Sequence, residues 1–175
     1  PRPTRSPGEW EFAFTPRAAG AYRVFADFTP AATGRGLYAS AELAVGPGAP
    51  APVDIRLRPE DEAGYRYALT PAQTPIVAGR PIDLKFVISR SDSGPVPLQP
   101  VMGAFAHLVA FDVGRTGFAH LHPAETDLAL PPDLRRPELN FKVTIPQGGR
   151  FVVWAQVNLA GREVFTPFWF EVAAR

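Results

Sequence analysis

One arrangement of residues occurs twice in this chain, and it restricts the fold more than any other feature. Near the N-terminus Trp10-Glu-Phe-Ala-Phe14 runs into Thr15-Pro16, Gly20 opens the stretch Tyr22-Arg-Val-Phe25-Ala-Asp-Phe28, and an apolar run follows over 39–45. Near the C-terminus 139–145 runs into Pro146, Gly149 opens Phe151-Val-Val-Trp154-Ala-Gln-Val157, and Phe168-Trp-Phe170-Glu-Val172 follows. Each copy reads as a strand stopped by proline, a glycine turn, an aromatic-rich strand and a closing strand. Proline ends the first strand because it cannot donate to a ladder, and glycine supplies the turn that other residues resist.

The second copy has further strands in front of it. A short strand is expected at 65–69. Ile82, Leu84, Phe86 and Ile88 recur at every second position, which places them on one face of a strand. A proline-rich bend covers 94–100, and two strands at 105–113 and 116–122 flank Gly114-Arg115, where glycine in first place suits a type II′ hairpin. A turn is expected within 132–137. Strands at this spacing, with turn residues between them, define an all-β, immunoglobulin-like antiparallel β-sandwich: one complete unit plus the last three strands of a preceding repeat. The expected organisation is a partial unit at 1–46, a Pro/Gly-rich linker at 47–64 and a complete sandwich at 65–175. Residues 53–57 read as a strand or an extended connection.

Composition narrows the chemistry. Absence of cysteine excludes disulfides, thiolate zinc sites and a blue-copper thiolate. With 18 basic and 17 acidic residues and no basic stripe, a nucleic-acid partner is not expected. No apolar run approaches the ~20 residues of a membrane helix, so no transmembrane segment is expected. No nucleophile elbow, phosphate loop or dinucleotide fingerprint is present, so the chain does not read as an enzyme. A start at Pro1 without an initiator methionine fits a processed N-terminus and an envelope location. The partial unit carries Trp10, Phe12, Phe14, Tyr22, Phe25 and Phe28 without a second sheet to cover them. Apolar surface of that extent must pack on the second unit, on residues preceding this sequence, or on another protein, and for the last case these six residues are the expected interaction surface.

All three histidines lie between positions 107 and 122, in Ala-His107-Leu-Val-Ala-Phe111 and Phe118-Ala-His120-Leu-His122-Pro123. A turn at Gly114-Arg115 makes Phe111 face Phe118, Val109 face His120 and His107 face His122, all on one side of the ribbon. Cross-strand neighbours stand ~5 Å apart at Cβ, so three imidazoles converge at the open end of the hairpin. Three nitrogen donors suit copper or zinc, with an oxygen from Glu125 or Asp127 as a further ligand. The Met102 thioether falls on the opposite parity from His107. The alternative is structural: Val109, Phe111 and Phe118 share that face, and histidines there could edge an apolar core, hydrogen-bonded to backbone, or line a protein contact.

The segments His107-Leu-Val-Ala-Phe and Phe118-Ala-His-Leu-His-Pro123, with Pro146-Gln-Gly-Gly-Arg-Phe-Val-Val-Trp and Phe168-Trp-Phe-Glu-Val, resemble bacterial secreted proteins with YtkA-like or FixH-like domains, often in tandem. That resemblance implies a periplasmic or extracellular sandwich peripheral to the membrane and an association with copper or other heavy metals. The first unit departs from it in lacking histidine strands of its own. Two functions are expected from these readings. The first is a non-catalytic extracytoplasmic module, an accessory subunit bound to protein partners of the cell envelope in a membrane-associated assembly. The alternative is a periplasmic copper- or zinc-binding protein using His107, His120 and His122.

Overall fold

The computed structural model describes residues 2–16, 18–47 and 64–175. The linker expected at 47–64 and the strand at 53–57 fall almost wholly outside these residues. All regular structure among the described residues is β, and no helix is long and apolar enough to cross a membrane. The chain divides into two compact units, Pro1–Asp54 and Ile55–Arg175.

The second unit is a sandwich of two sheets. One contains β5 (Tyr65–Pro71), β7 (Pro81–Arg90) and β11 (Glu138–Thr144), in the order β11-β7-β5. The other contains β6 (Ile76–Val77), β8 (Leu98–Gln99), β9 (His107–Asp112), β10 (Phe118–Leu121), β12 (Gly149–Leu159) and β13 (Arg162–Ala173). Its order is β10-β9-β12-β13-β6, with β8 also on β12. Pairing is antiparallel throughout except between β13 and β6. The chain alternates between the layers, as an immunoglobulin-like sandwich does.

Side-chain alternation builds the core between the layers. Ile82, Leu84, Phe86 and Ile88 of β7 are all buried, as their spacing predicts. They meet Leu108 and Ala110 of β9, Phe151, Val153, Ala155 and Val157 of β12, and Phe168 and Val172 of β13. Phe86 and Phe168 join the sheets edge to face, with ring centroids 6.1 Å apart. Full burial of such a side chain contributes roughly 1.5–3 kcal/mol. The turn into β12 needs small residues: a Cβ on Gly148 would stand 2.9 Å from the Ala174 nitrogen.

The first unit contains two separate ladders. β1 (Arg2–Pro3) pairs with β2 (Trp10–Glu11), and β3 (Gly20–Phe28) pairs with β4 (Leu37–Val45). The strand expected over 10–14 is realised only at Trp10–Glu11. Phe12 and Phe14 lie beyond it, stacked on each other at 5.9 Å, and Phe14 leans on Tyr22. The Tyr22 hydroxyl donates to the Ala18 carbonyl (2.7 Å) and accepts from the Ala18 N–H (3.2 Å). A tyrosine tied to backbone a few residues upstream is the corner that opens strand F of immunoglobulin sandwiches.

Candidate metal centre

β9 and β10 pair with Phe118 opposite Phe111 and His120 opposite Val109, the register expected from the sequence. The turn differs from the expected two-residue type II′ hairpin. Residues 113–117 are all loop, and it is Arg115, not Gly114, that has positive φ (56°). Asp112 causes the difference. One of its carboxylate oxygens accepts from the Thr116 N–H (2.7 Å), and the other from the Gly117 N–H (3.0 Å) and the Thr116 hydroxyl. These bonds satisfy the loop backbone locally, so the ladder stops at Asp112. Burial acts to raise the Asp112 pKa, but the bonds from Thr116, Gly117 and Arg115 outweigh it and hold it below the ordinary carboxylate value. Register survives because Phe118 still pairs with Phe111 beyond the loop.

The histidines stand on the outer face of the larger sheet, away from the sandwich core. On β9 the core takes Leu108 and Ala110, and on β10 Ala119 and Leu121 pack against it. Alternation therefore sends His107, His120 and His122 outward. The same outer face carries Val109 and Phe111, Trp154 and Gln156 of β12, and Phe165 of β13, which is 57% exposed. The histidines lie on the face opposite the main core, and buried His107 has a backbone hydrogen bond of the kind the structural alternative describes.

The three rings form a nearly equilateral triangle with centroid separations of 4.9, 4.7 and 4.8 Å. One nitrogen from each lies within 4.8 Å of the others. His107 is only 1% exposed, His120 is half-buried and His122 is exposed, which grades the site from a fixed base to an accessible rim. The fixed base has a specific anchor. His107 Nε2–H donates to the Val101 carbonyl at 2.8 Å, and since a carbonyl can only accept, the proton belongs on Nε2. Nδ1 then carries the lone pair and accepts a hydrogen bond from His120 Nε2–H at 2.7 Å, which an ion would have to displace.

That anchor comes from a turn the sequence did not reveal. Val101 and Ala104 bridge each other, and Met102 (φ 46°) and Gly103 (φ 82°) both have positive φ, as a type I′ turn requires. The Val101 carbonyl accepts from both Ala104 N–H (3.1 Å) and His107. Its role is played by backbone, which any residue could supply, so only the Met102-Gly103 pair hinted at it. Burial pushes the His107 pKa below the ordinary imidazole value. The Val101 carbonyl opposes that shift, and charge on His120 and His122 reinforces it. Burial thus favours the neutral ring, the form that coordinates metal.

Of the other expected ligands, Glu125 lies outside the triad. Its two oxygens accept from the Asn140 backbone N–H (2.9 Å) and side-chain amide (2.8 Å), tying it to β11. Asp127 accepts from the Ala129 N–H. Met102 is 67% exposed on the anchoring turn. Imidazole nitrogens at ~2.0–2.1 Å from a tetrahedral ion lie about 3.3 Å apart, so the triad needs adjustments of roughly 1.5 Å or less to close on one. The exposed His122 is the ring free to make most of that movement.

The expected interaction residues divide differently from the sequence reading. Trp10, Phe12, Phe14 and Phe28 are exposed, while Tyr22 and Phe25 are half-buried. Strand alternation also sets Phe25 on the opposite face of β3 from Tyr22 and Phe28, beside the Arg23–Glu42 ion pair on that side (2.7 Å).

An all-β sandwich with a histidine triad on one outer face is the class these features define. Residues 60–174 match the family described as Domain of unknown function (DUF8832), and the chain belongs to that family. No curated protein matches it.

Proposed function

We propose that this protein binds a transition-metal ion, copper or zinc, through His107, His120 and His122. The observation that carries the reading is the anchored tautomer of His107. Its Nε2–H is fixed on a backbone carbonyl and its Nδ1 lone pair is turned towards His120. Metal-ligating histidines are oriented in this way by an outer hydrogen bond. Three neutral nitrogens without carboxylate or thiolate favour copper(II) or zinc over magnesium or calcium. The resemblance of the histidine strands to YtkA-like and FixH-like domains agrees with an extracytoplasmic, copper-linked role. Isothermal titration of the chain with copper(II) and with zinc should give a single tight site. The H107A/H120A/H122A variant, with its fold checked by circular dichroism, should lose it. Equal affinity in the two proteins would refute the reading.

A second role rests on a different observation. Tyr22, Val24, Ala26 and Phe28 of β3 pair with Leu43, Ala41, Ala39 and Leu37 of β4, so one face of this hairpin is wholly apolar. Phe28, Leu37 and Leu43 on it are exposed, as are Phe12 and Phe14. A surface of this kind suits a protein partner in the envelope, with the chain as a non-catalytic accessory subunit. Cross-linking in native extracts should recover a defined partner with the wild type and not with F12S/F28S. Identical recovery from both would remove this role.

A further inference from the structure

We infer that an ion held by the triad keeps one coordination position open to solvent. Resting on the metal-binding reading above, this position takes a monodentate donor from outside the chain: a small anion, a thiolate or an imidazole.

His107 and His120 rise from the same outer face of β9 and β10, and His122, directly after β10, holds its ring 4.7 and 4.8 Å from theirs. Three positions of a tetrahedron are then filled by these rings, and the fourth points away from all three. Beside it stands the exposed His122, so solvent reaches the ion from the rim. Among the described residues, the carboxylates that follow or precede the triad in sequence are engaged elsewhere. Both oxygens of Glu125 are held by Asn140, those of Asp112 by Thr116 and Gly117, and Asp127 accepts from Ala129. Met102 belongs to the turn at the Nε2 edge of His107, on the far side of that ring from the Nδ1 lone pair.

Coordination number separates two kinds of zinc site. Structural sites are closed by four protein ligands, whereas sites that exchange ligands use three and leave one position to water or substrate. Charge points the same way. Three neutral imidazoles leave a divalent ion uncompensated on a face lined by Val109, Phe111 and Trp154, and an ion in partly apolar surroundings favours an anionic ligand.

Cobalt(II) is the probe, because its visible bands report both coordination number and ligand replacement. The full chain loaded with one equivalent of cobalt(II) should show intense four-coordinate bands. Millimolar azide should shift them saturably, and dialysis should reverse the shift. One equivalent bound with bands indifferent to azide would overturn this inference and leave the metal reading standing. An azide response gained only in M102L would overturn it too, by identifying Met102 as the fourth ligand. No binding of cobalt, copper or zinc beyond that of H107A/H120A/H122A would end the metal reading itself.

Discussion

Two hairpins of this chain share a design and differ in their surroundings. β3–β4 and β12–β13 each open on a glycine in the positive-φ region, Gly20 at 137° and Gly149 at 136°. Each glycine pairs with a valine, Val45 in one and Val172 in the other, and each is followed two residues later by an aromatic, Tyr22 or Phe151. In the second unit the face bearing Phe151 is buried against β5, β7 and β11. In the first unit the corresponding face keeps Phe28, Leu37 and Leu43 exposed. Local sequence is therefore sufficient for the hairpin, while burial depends on strands supplied from elsewhere. A hairpin of this kind is marginal alone, and a second layer gives it stability.

The sharpest way to break this comparison is truncation on either side of it. Phe86→Ala, beneath the buried hairpin, should cost about 3–5 kcal/mol in urea unfolding. Phe28→Ala, on the exposed one, should cost about 1 kcal/mol or less. Equal costs would mean that the β3–β4 face is covered in solution.

Next in size are the histidines. His107→Ala should weaken zinc or copper binding by more than the ~100-fold typical of outer-shell changes. It should also destabilise the metal-free protein, because His107 is buried and bonded. His122→Ala should weaken metal binding while leaving the metal-free melting temperature unchanged, because His122 is exposed. Equal effects on that temperature would erase the gradient from fixed base to accessible rim.

Tyr22→Phe removes the hydroxyl that closes on Ala18 and should cost about 1 kcal/mol. Faster hydrogen exchange at the Ala18 amide would localise the loss to the first unit. β12 carries Phe151 at the corresponding position and has no hydroxyl to lose there, so this element belongs to one copy alone.

The smallest effect is that of pH on the metal-free protein. The folded His107 pKa lies below that of the unfolded chain, so the unfolded chain takes up the extra proton first. This contribution to stability is complete above about pH 6.5 and is lost as pH falls from there through the folded value. Metal affinity should fall over the same range, because protons compete for the ring. A flat stability profile below neutrality in wild type, matched by His107→Ala, would remove the burial argument.

Much of the second unit was legible in the sequence because alternation is a local property. The spacing of Ile82, Leu84, Phe86 and Ile88 anticipates β7 and its buried face, and the positions of His107, His120 and His122 anticipate their shared side. Less was legible wherever a side chain or carbonyl competes with the ladder. Asp112 captures the backbone of Thr116 and Gly117 and turns an expected two-residue turn into a five-residue loop. Ile76–Val77 and Leu98–Gln99 are too short to carry a period and are strands only because β13 and β12 lie beside them.

The histidine hairpin divides along the same line. Spacing alone places the three imidazoles on one side of a β-ribbon, because side chains alternate along each strand. Which side that is depends on packing. The pairing of β9 with β12 and the packing of Leu108 and Ala110 into the core turn the histidines to the outer face. The Val101 turn then closes over His107 and fixes its proton. Parity is counted along one strand, but the choice between core and solvent depends on what the opposite sheet covers, and that is a property of the whole fold.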